Sequence, residues 1–281
     1  MKNSAIEVMT TATSMATSVT KNVATNVAIE LTNVSRKFIS PAGKVTLALK
    51  DFSLTVNEGD FCAIVGPTGC GKSTTLGMIT GLNPPSSGSV KVFGKPVTGI
   101  DPDIGFVFQA DAVFPWKNVI DNIAIGPIFR GKDKKTAKEM AAEWVRRVGL
   151  AGFEYHYPHQ LSGGMRKRVA LAQTFINEPK ILLMDEPFSA LDVQTRALMQ
   201  DELLGLWSEK KASVVFVTHD IEEAIALADR VVVLSKGPGS VKSCYEIPLA
   251  RPREVSTARY SEEFIHLSKQ IWTDLKDEVQ I

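Results

Sequence analysis

Apolar positions along this chain follow two periods, and these divide it into regions before any chemistry is considered. Alternation runs through Ile29, Leu31 and Val34, then through Leu47, Leu49, Phe52 and Leu54, with Pro41-Ala42-Gly43 placed to turn between them. That pattern predicts antiparallel strands from Ala28 to about Ser53. Short unbroken apolar runs at Phe61–Val65, Ile104–Phe108, Ile181–Met184, Ser213–Val217 and Val231–Leu234 read instead as strands covered on both faces. Helical stretches between them imply βαβ crossovers and a parallel sheet. Between Gln109 and Leu161 there is no strand signal. That region carries a helical stripe of Ala137, Met140, Ala141, Trp144, Val145 and Val148, with Gly149 placed to end it. A second stripe, Phe264, Leu267, Ile271, Leu275 and Val279, predicts an amphipathic helix over 261–281, packed on the domain or against another subunit.

The expected organisation is α/β, with an antiparallel β subdomain and an inserted helical subdomain at about 110–165. Residues 1–26 are rich in Ser, Thr and Ala and are expected to form a disordered tail. Lys2 is followed by no continuous apolar segment, so no secretory leader is expected, and Met15 is a candidate start. The main domain runs over 27–250 and an extension over 251–281.

The loop after the first buried run carries the strongest chemistry. Gly66-Pro67-Thr68-Gly69-Cys70-Gly71-Lys72-Ser73-Thr74 stands between a strand and a predicted helix from Thr74 to Gly81, the context a phosphate-binding loop requires. Glycines let successive N–H groups curl around a phosphate where side chains would block the approach. Lys72 adds a charge toward the β- and γ-phosphates, Ser73 a hydroxyl for Mg2+, and the helix its positive end. The ligand expected is a nucleoside triphosphate. Cys70 inside the loop is either a small residue that fits or a thiol open to oxidation.

Ile181–Met184 ends in Asp185 and Glu186. Asp185 is placed to support Mg2+ from the strand end, and Glu186 to orient and polarise an attacking water. His219 follows the run Ser213–Val217 at the same sheet edge, where an imidazole can donate a hydrogen bond to a γ-phosphate. Leu161-Ser162-Gly163-Gly164-Met165 opens another helix, making a second anion site in one chain. Because the phosphate loop already cradles one triphosphate, this second clamp most simply serves the nucleotide of another chain, which implies a dimer.

Composition narrows the setting. The 281 residues are 44% hydrophobic and 22% charged, enough to bury a sizeable core. A net charge of +1 argues against a dedicated nucleic-acid surface. Cys62, Cys70 and Cys244 have no metal-ligand spacing and fit a reducing compartment. Tyr155-His156-Tyr157-Pro158-His159 has no cysteine partner for a metal site. No apolar run approaches the ~20 residues of a membrane helix.

Together these motifs resemble the nucleotide-binding subunit of an ATP-binding cassette transporter, over residues 28 to about 240. The resemblance implies a P-loop NTPase (RecA-like) core, ATP and Mg2+ as cofactors, and ATP hydrolysis. It casts Phe38 as the aromatic that stacks on adenine. Gln109 becomes the glutamine touching Mg2+ and water and linking the helical subdomain to the core. Leu161-Ser162-Gly163-Gly164-Met165 becomes the signature, with Ser162, Gly163 and Gly164 at the nucleotide. Ser189-Ala190-Leu191-Asp192 becomes the D-loop, with Asp192 at the nucleotide, and His219 becomes the switch histidine. It also implies a head-to-tail dimer, most simply of identical subunits, that closes over two ATP molecules. Met165 departs from the usual signature Gln, and a thioether cannot replace that amide's hydrogen bonds to nucleotide, although Ser162 and the glycine N–H groups are intact.

Ala110-Asp111-Ala112-Val113-Phe114-Pro115-Trp116, then Val119 to Ala124, Tyr157 to Gln160 and the C-terminal ending, are similar to the importer branch for nitrate, sulfonates and taurine. That branch implies transmembrane permease partners docking near Phe114 and Trp116, a solute-binding protein acting indirectly, and a peripheral position on the cytoplasmic face of the inner (plasma) membrane. Exporter or lipid-transport ATPases share the catalytic motifs, and soluble cassette proteins of repair or translation are a further alternative. Neither heptads nor an internal repeat supports the latter.

Overall fold

A computed structural model describes residues 26–110 and 112–278. The expected N-terminal tail therefore lies, but for Asn26, outside the described residues, as does Val279 of the C-terminal stripe. The first two strands, β1 (Val27–Ile39) and β2 (Val45–Asn57), pair antiparallel across the Pro41 turn. With β4 (Ser87–Val92) and β5 (Lys95–Pro96) they form an antiparallel sheet of order β2-β1-β4-β5.

The second sheet has order β10-β9-β3-β8-β7-β6. Its strands are β3 (Phe61–Val65), β6 (Ile104–Val107), β7 (Ile181–Asp185), β8 (Ser213–Val217), β9 (Arg230–Leu234) and β10 (Val241–Glu246). All neighbours are parallel except β10, which runs antiparallel to β9 at the edge. Every residue of β3 and β8 is buried, as unbroken apolar runs between two covered faces should be. Helices α1 (Lys72–Ile79), α5 (Val193–Lys210), α6 (Ile221–Leu227), the short α7 (Val255–Ala258) and α8 (Glu262–Lys276) accompany it. On α8, Phe264, Leu267, Ile271 and Leu275 join the core cluster containing Phe216 and Ala224, so this stripe packs on the domain.

Among the described residues between β6 and β7 lie three α-helices, α2 (Val119–Phe129), α3 (Lys134–Arg147) and α4 (Gly163–Phe175), with a core of their own built from Ile123, Ala141, Val145, Leu161 and Val169. Only α3 carries the stripe that periodicity singles out; α2 is an addition. Its β-branched residues and its internal Gly126-Pro127 mute the helical signal. The helix is nevertheless started by Asn118, whose side chain accepts the Asp121 N–H at 2.9 Å.

Parallel pairing sets the functional edge. With β3, β8, β7 and β6 side by side, the segments following all four strands emerge together at their carboxyl ends, where ligands of open α/β sheets bind.

Candidate functional site

The phosphate loop leaves β3 and enters α1 through Gly71, which has φ 100°. A Cβ there would lie 2.6 Å from Leu49 Cδ2, so both backbone and space demand glycine. Lys72 is 7% exposed, and its ammonium donates to Gly66 O at 2.8 Å and Pro67 O at 3.1 Å. The charge is thus held across the mouth of its own loop. Cys70 is fully buried among Ile64, Leu76 and Leu234, and burial pushes its thiol up despite the neighbouring Lys72. That supports the packing role over the oxidation-prone one.

Ser73 Oγ donates to Asp185 Oδ1 at 3.1 Å, so two of the three groups assigned to Mg2+ already touch. Both are hard oxygen donors, the chemistry Mg2+ prefers, with room left for phosphate and water ligands. Burial raises the Asp185 carboxyl, with Ser73 pulling it back and the charge of Glu186 adding to the rise. Glu186 follows with φ 42°, a left-handed backbone uncommon for a residue with a side chain. It is fixed there by its N–H to Val217 O at 2.9 Å, and its own carbonyl accepts the Ser189 hydroxyl at 3.0 Å. Its Oε2 lies 3.0 Å from Nδ1 of His219, whose side chain is otherwise largely exposed.

Thr68, Gly69, Gly71, Lys72, Ser73 and Thr74 line one side of an open cleft of about 600 Å3. Ala48, Gln109, Glu186 and His219 line the rest. The volume suits a drug-sized ligand. Gln109 is exposed and held through its backbone, because Lys167 of α4 donates to the carbonyls of Phe108 and Gln109, each at 3.3 Å. Lys167 therefore ties the helical insertion to this loop.

Phe38, Ser162, Gly163, Gly164 and Asp192 do not line the cleft. Phe38 lies on β1 opposite Thr46, two residues along β2 from Ala48, with Arg36 stacked on its ring at 4.8 Å. Ser162 caps α4, accepting the Met165 N–H at 3.3 Å, and Gly164 packs against Thr195 at the start of α5. Asp192 caps α5 through Thr195, whose hydrogen bonds hold its carboxyl below the usual range. Met165 packs against the core of the helical insertion. A polar depression of about 570 Å3 at the opposite, N-terminal edge of the strands holds mixed lysines and acids and none of these groups.

Several supporting residues carry no local motif. Lys167 is one. Gly239, in the β9–β10 turn, is another: its N–H donates to Ala48 O at 2.9 Å, and a Cβ there would fall 1.9 Å from Cys70 O. The turn composition Gly237-Pro238-Gly239 is visible in the sequence, but not the backbone it approaches.

Strand, phosphate loop and helix, with a strand-terminal acid pair one strand away beyond β8, define a P-loop nucleotide hydrolase. A family model described as ABC transporter matches residues 49–189. The chain is 46% identical over 253 residues to an uncharacterised ABC transporter ATP-binding protein of Methanocaldococcus jannaschii, covering 90% of this chain and 93% of that one. It is 40% identical to the aliphatic sulfonates import ATP-binding protein SsuB of Bacillus cereus, covering 86% of this chain and 94% of that protein. It is 41% identical to the nitrate import ATP-binding protein NrtD of Synechocystis, with 82% and 86% covered. A dimeric post-hydrolysis ATP-binding cassette bound to ADP and Pi superposes with a TM-score of 0.70 at 32% identity, over 79% of this chain and 100% of that one. This chain belongs to the ABC transporter family and is an ATP-hydrolysing transporter subunit.

Proposed function

We propose that this subunit hydrolyses Mg2+-bound ATP as half of a head-to-tail pair and thereby drives import of a small solute of the nitrate, sulfonate or taurine class. The observation that carries the paired arrangement is the split described above. Lys72, Ser73, Glu186 and His219 share one cleft, while Ser162–Gly164 present a second anion-binding helix start outside it.

Within the cleft, the loop N–H groups and Lys72 bind the phosphates. Ser73 and Asp185 hold Mg2+, which when bound neutralises phosphate charge. Gln109 approaches the same site from the helical insertion. Glu186 accepts a proton from the attacking water at a carboxylate oxygen, and His219 keeps that carboxylate aimed through the 3.0 Å contact. Asp192 and Ser162–Gly164 meet the cleft of a second copy of the chain, and Phe38 reaches adenine from β1.

No helix among the described residues is long and apolar enough to cross a membrane. A groove of about 390 Å3 between β6 and α2, bordered by Phe108, Phe114 and Phe129, supports docking of a permease segment. Trp116 next to it is 71% exposed, and its loop is pinned by the buried Asn122, which bonds the Phe114 N–H at 2.7 Å. The import names of the sulfonate and nitrate relatives favour this direction, with a solute-binding protein acting beyond the permease and the subunit lying on the inner face of the membrane. Glu186→Gln is expected to keep ATP binding while phosphate release falls by ~10²- to 10⁴-fold. Wild-type phosphate release from that variant would overturn the assignment.

A further inference from the structure

Glu223 is 3% exposed on α6, and none of the cleft chemistry uses it. A bare carboxylate at that depth is costly, but this one is surrounded by donors. Thr218 Oγ1 donates to its Oε2 at 2.6 Å, Gln200 Nε2 donates to its Oε1 at 3.1 Å, and Arg196 Nε lies 3.7 Å from Oε1. Burial still pushes the carboxyl up, against the pull of Thr218. The Thr218 hydroxyl in turn accepts the Asp220 N–H at 3.1 Å. Thr218 and Asp220 flank His219, so one buried carboxylate holds the backbone on both sides of the cleft histidine.

The same centre extends outward. Arg196 reaches Asp220 at 3.4 Å and donates to Leu191 O at 3.0 Å, joining the segment before α5 to the histidine loop. Gln200 is fully buried, and its Oε1 accepts from Nη2 of Arg259 at 3.4 Å. A guanidinium only donates, so this contact turns the amide oxygen toward Arg259 and the amide NH2 toward Glu223. Arg259 stands at the end of α7, in the C-terminal extension.

We infer that Glu223 is a positioning residue for His219, and that Arg259 reaches it through Gln200, wiring the C-terminal extension to the cleft. The inference rests on the role given to His219 above. In the full-length chain, Glu223→Gln puts amide hydrogens against donors without changing shape. Turnover should fall by ~10-fold or more, with ATP affinity unchanged and the imidazole resonances of His219 displaced. The exchange Glu223→Gln with Gln200→Glu restores one carboxylate and one amide and should recover most of the lost turnover. Arg259→Met should shift the same resonances less, since its contact is longer.

Wild-type turnover with unmoved His219 resonances in Glu223→Gln overturns the inference. So does joint loss of ATP binding and turnover that the exchanged pair fails to restore, the mark of a merely structural role. His219→Ala separates the two claims. Should that variant turn over normally, the histidine's role fails, while the resonance shift still decides whether Glu223 positions it.

Discussion

Gly239→Ala tests how tightly the phosphate loop is braced. The position does not need a left-handed backbone, so the effect of the methyl is purely steric. The new Cβ would stand 1.9 Å from Cys70 O and 3.2 Å from Leu49 Cδ2. Gly239 cannot simply retreat, because its N–H and carbonyl are bonded to Ala48 O at 2.9 Å and Lys50 N at 3.0 Å. The contact must open by at least ~1.5 Å to reach an ordinary separation, and Cys70 belongs to the loop that cradles phosphate. Overpacking of this kind costs ~1–3 kcal/mol. If the loop yields, that becomes a ~5- to 150-fold weaker ATP affinity at ~1.4 kcal/mol per decade. If the turn yields, the cost appears in thermal stability instead. Titration with ATP and a melting curve measured together capture both. Gly237→Ala is the control, since its Cβ would meet Gly69 O at an ordinary 3.4 Å. If Gly239→Ala binds and melts like the wild type, or if the two alanine variants are indistinguishable, the Gly239–Cys70 approach does not brace the loop.

Lys72→Ala deletes a charged donor already seated over the loop, and ATP affinity should fall at least ~10-fold, a hydrogen bond to a charged group being worth ~1.5–3 kcal/mol; an unchanged titration curve would count against it. Acid should loosen α8. The nearby Ser243 hydroxyl and the Tyr245 hydroxyl, which donates to Asp274 Oδ2 at 2.7 Å, hold Asp274 below the usual carboxylate range, and the Lys236 N–H and Lys242 do the same for Glu278. Depressed carboxylates stabilise the fold above their unfolded pKa and lose that contribution as pH falls through the folded value. Asp274→Asn should therefore melt below the wild type at pH 7, with the gap shrinking below about pH 4. A gap independent of pH would remove these carboxylates from the account of how α8 is held.

What could be read from the sequence was what depends on local backbone chemistry. The phosphate loop announces itself because glycine spacing, Lys72 and Ser73 act through neighbours a few residues away. The Asp185-Glu186 pair is visible because a buried strand must end where the acids begin. The helix α2 hides behind Gly126-Pro127, since its stability comes from packing Ile123 against α3 and α4 rather than from propensity. Gly239 and Glu223 were beyond reach for another reason. Each matters through a contact with a distant segment, Cys70 in one case and Thr218 with Gln200 in the other, and only the sheet order β9-β3-β8 brings those segments together. The exposed place of Ser162 outside its own cleft follows from the same topology, and it gives the paired reading its physical basis.

The most direct test of that reading is the mass of Glu186→Gln in solution, measured by light scattering with and without ATP. Slowed hydrolysis should trap the closed pair, so the account predicts a monomer alone and twice that mass with ATP, reverting when Ser162 is also changed to a bulky residue. A monomer under both conditions, alone and when assembled with the permease, would contradict it.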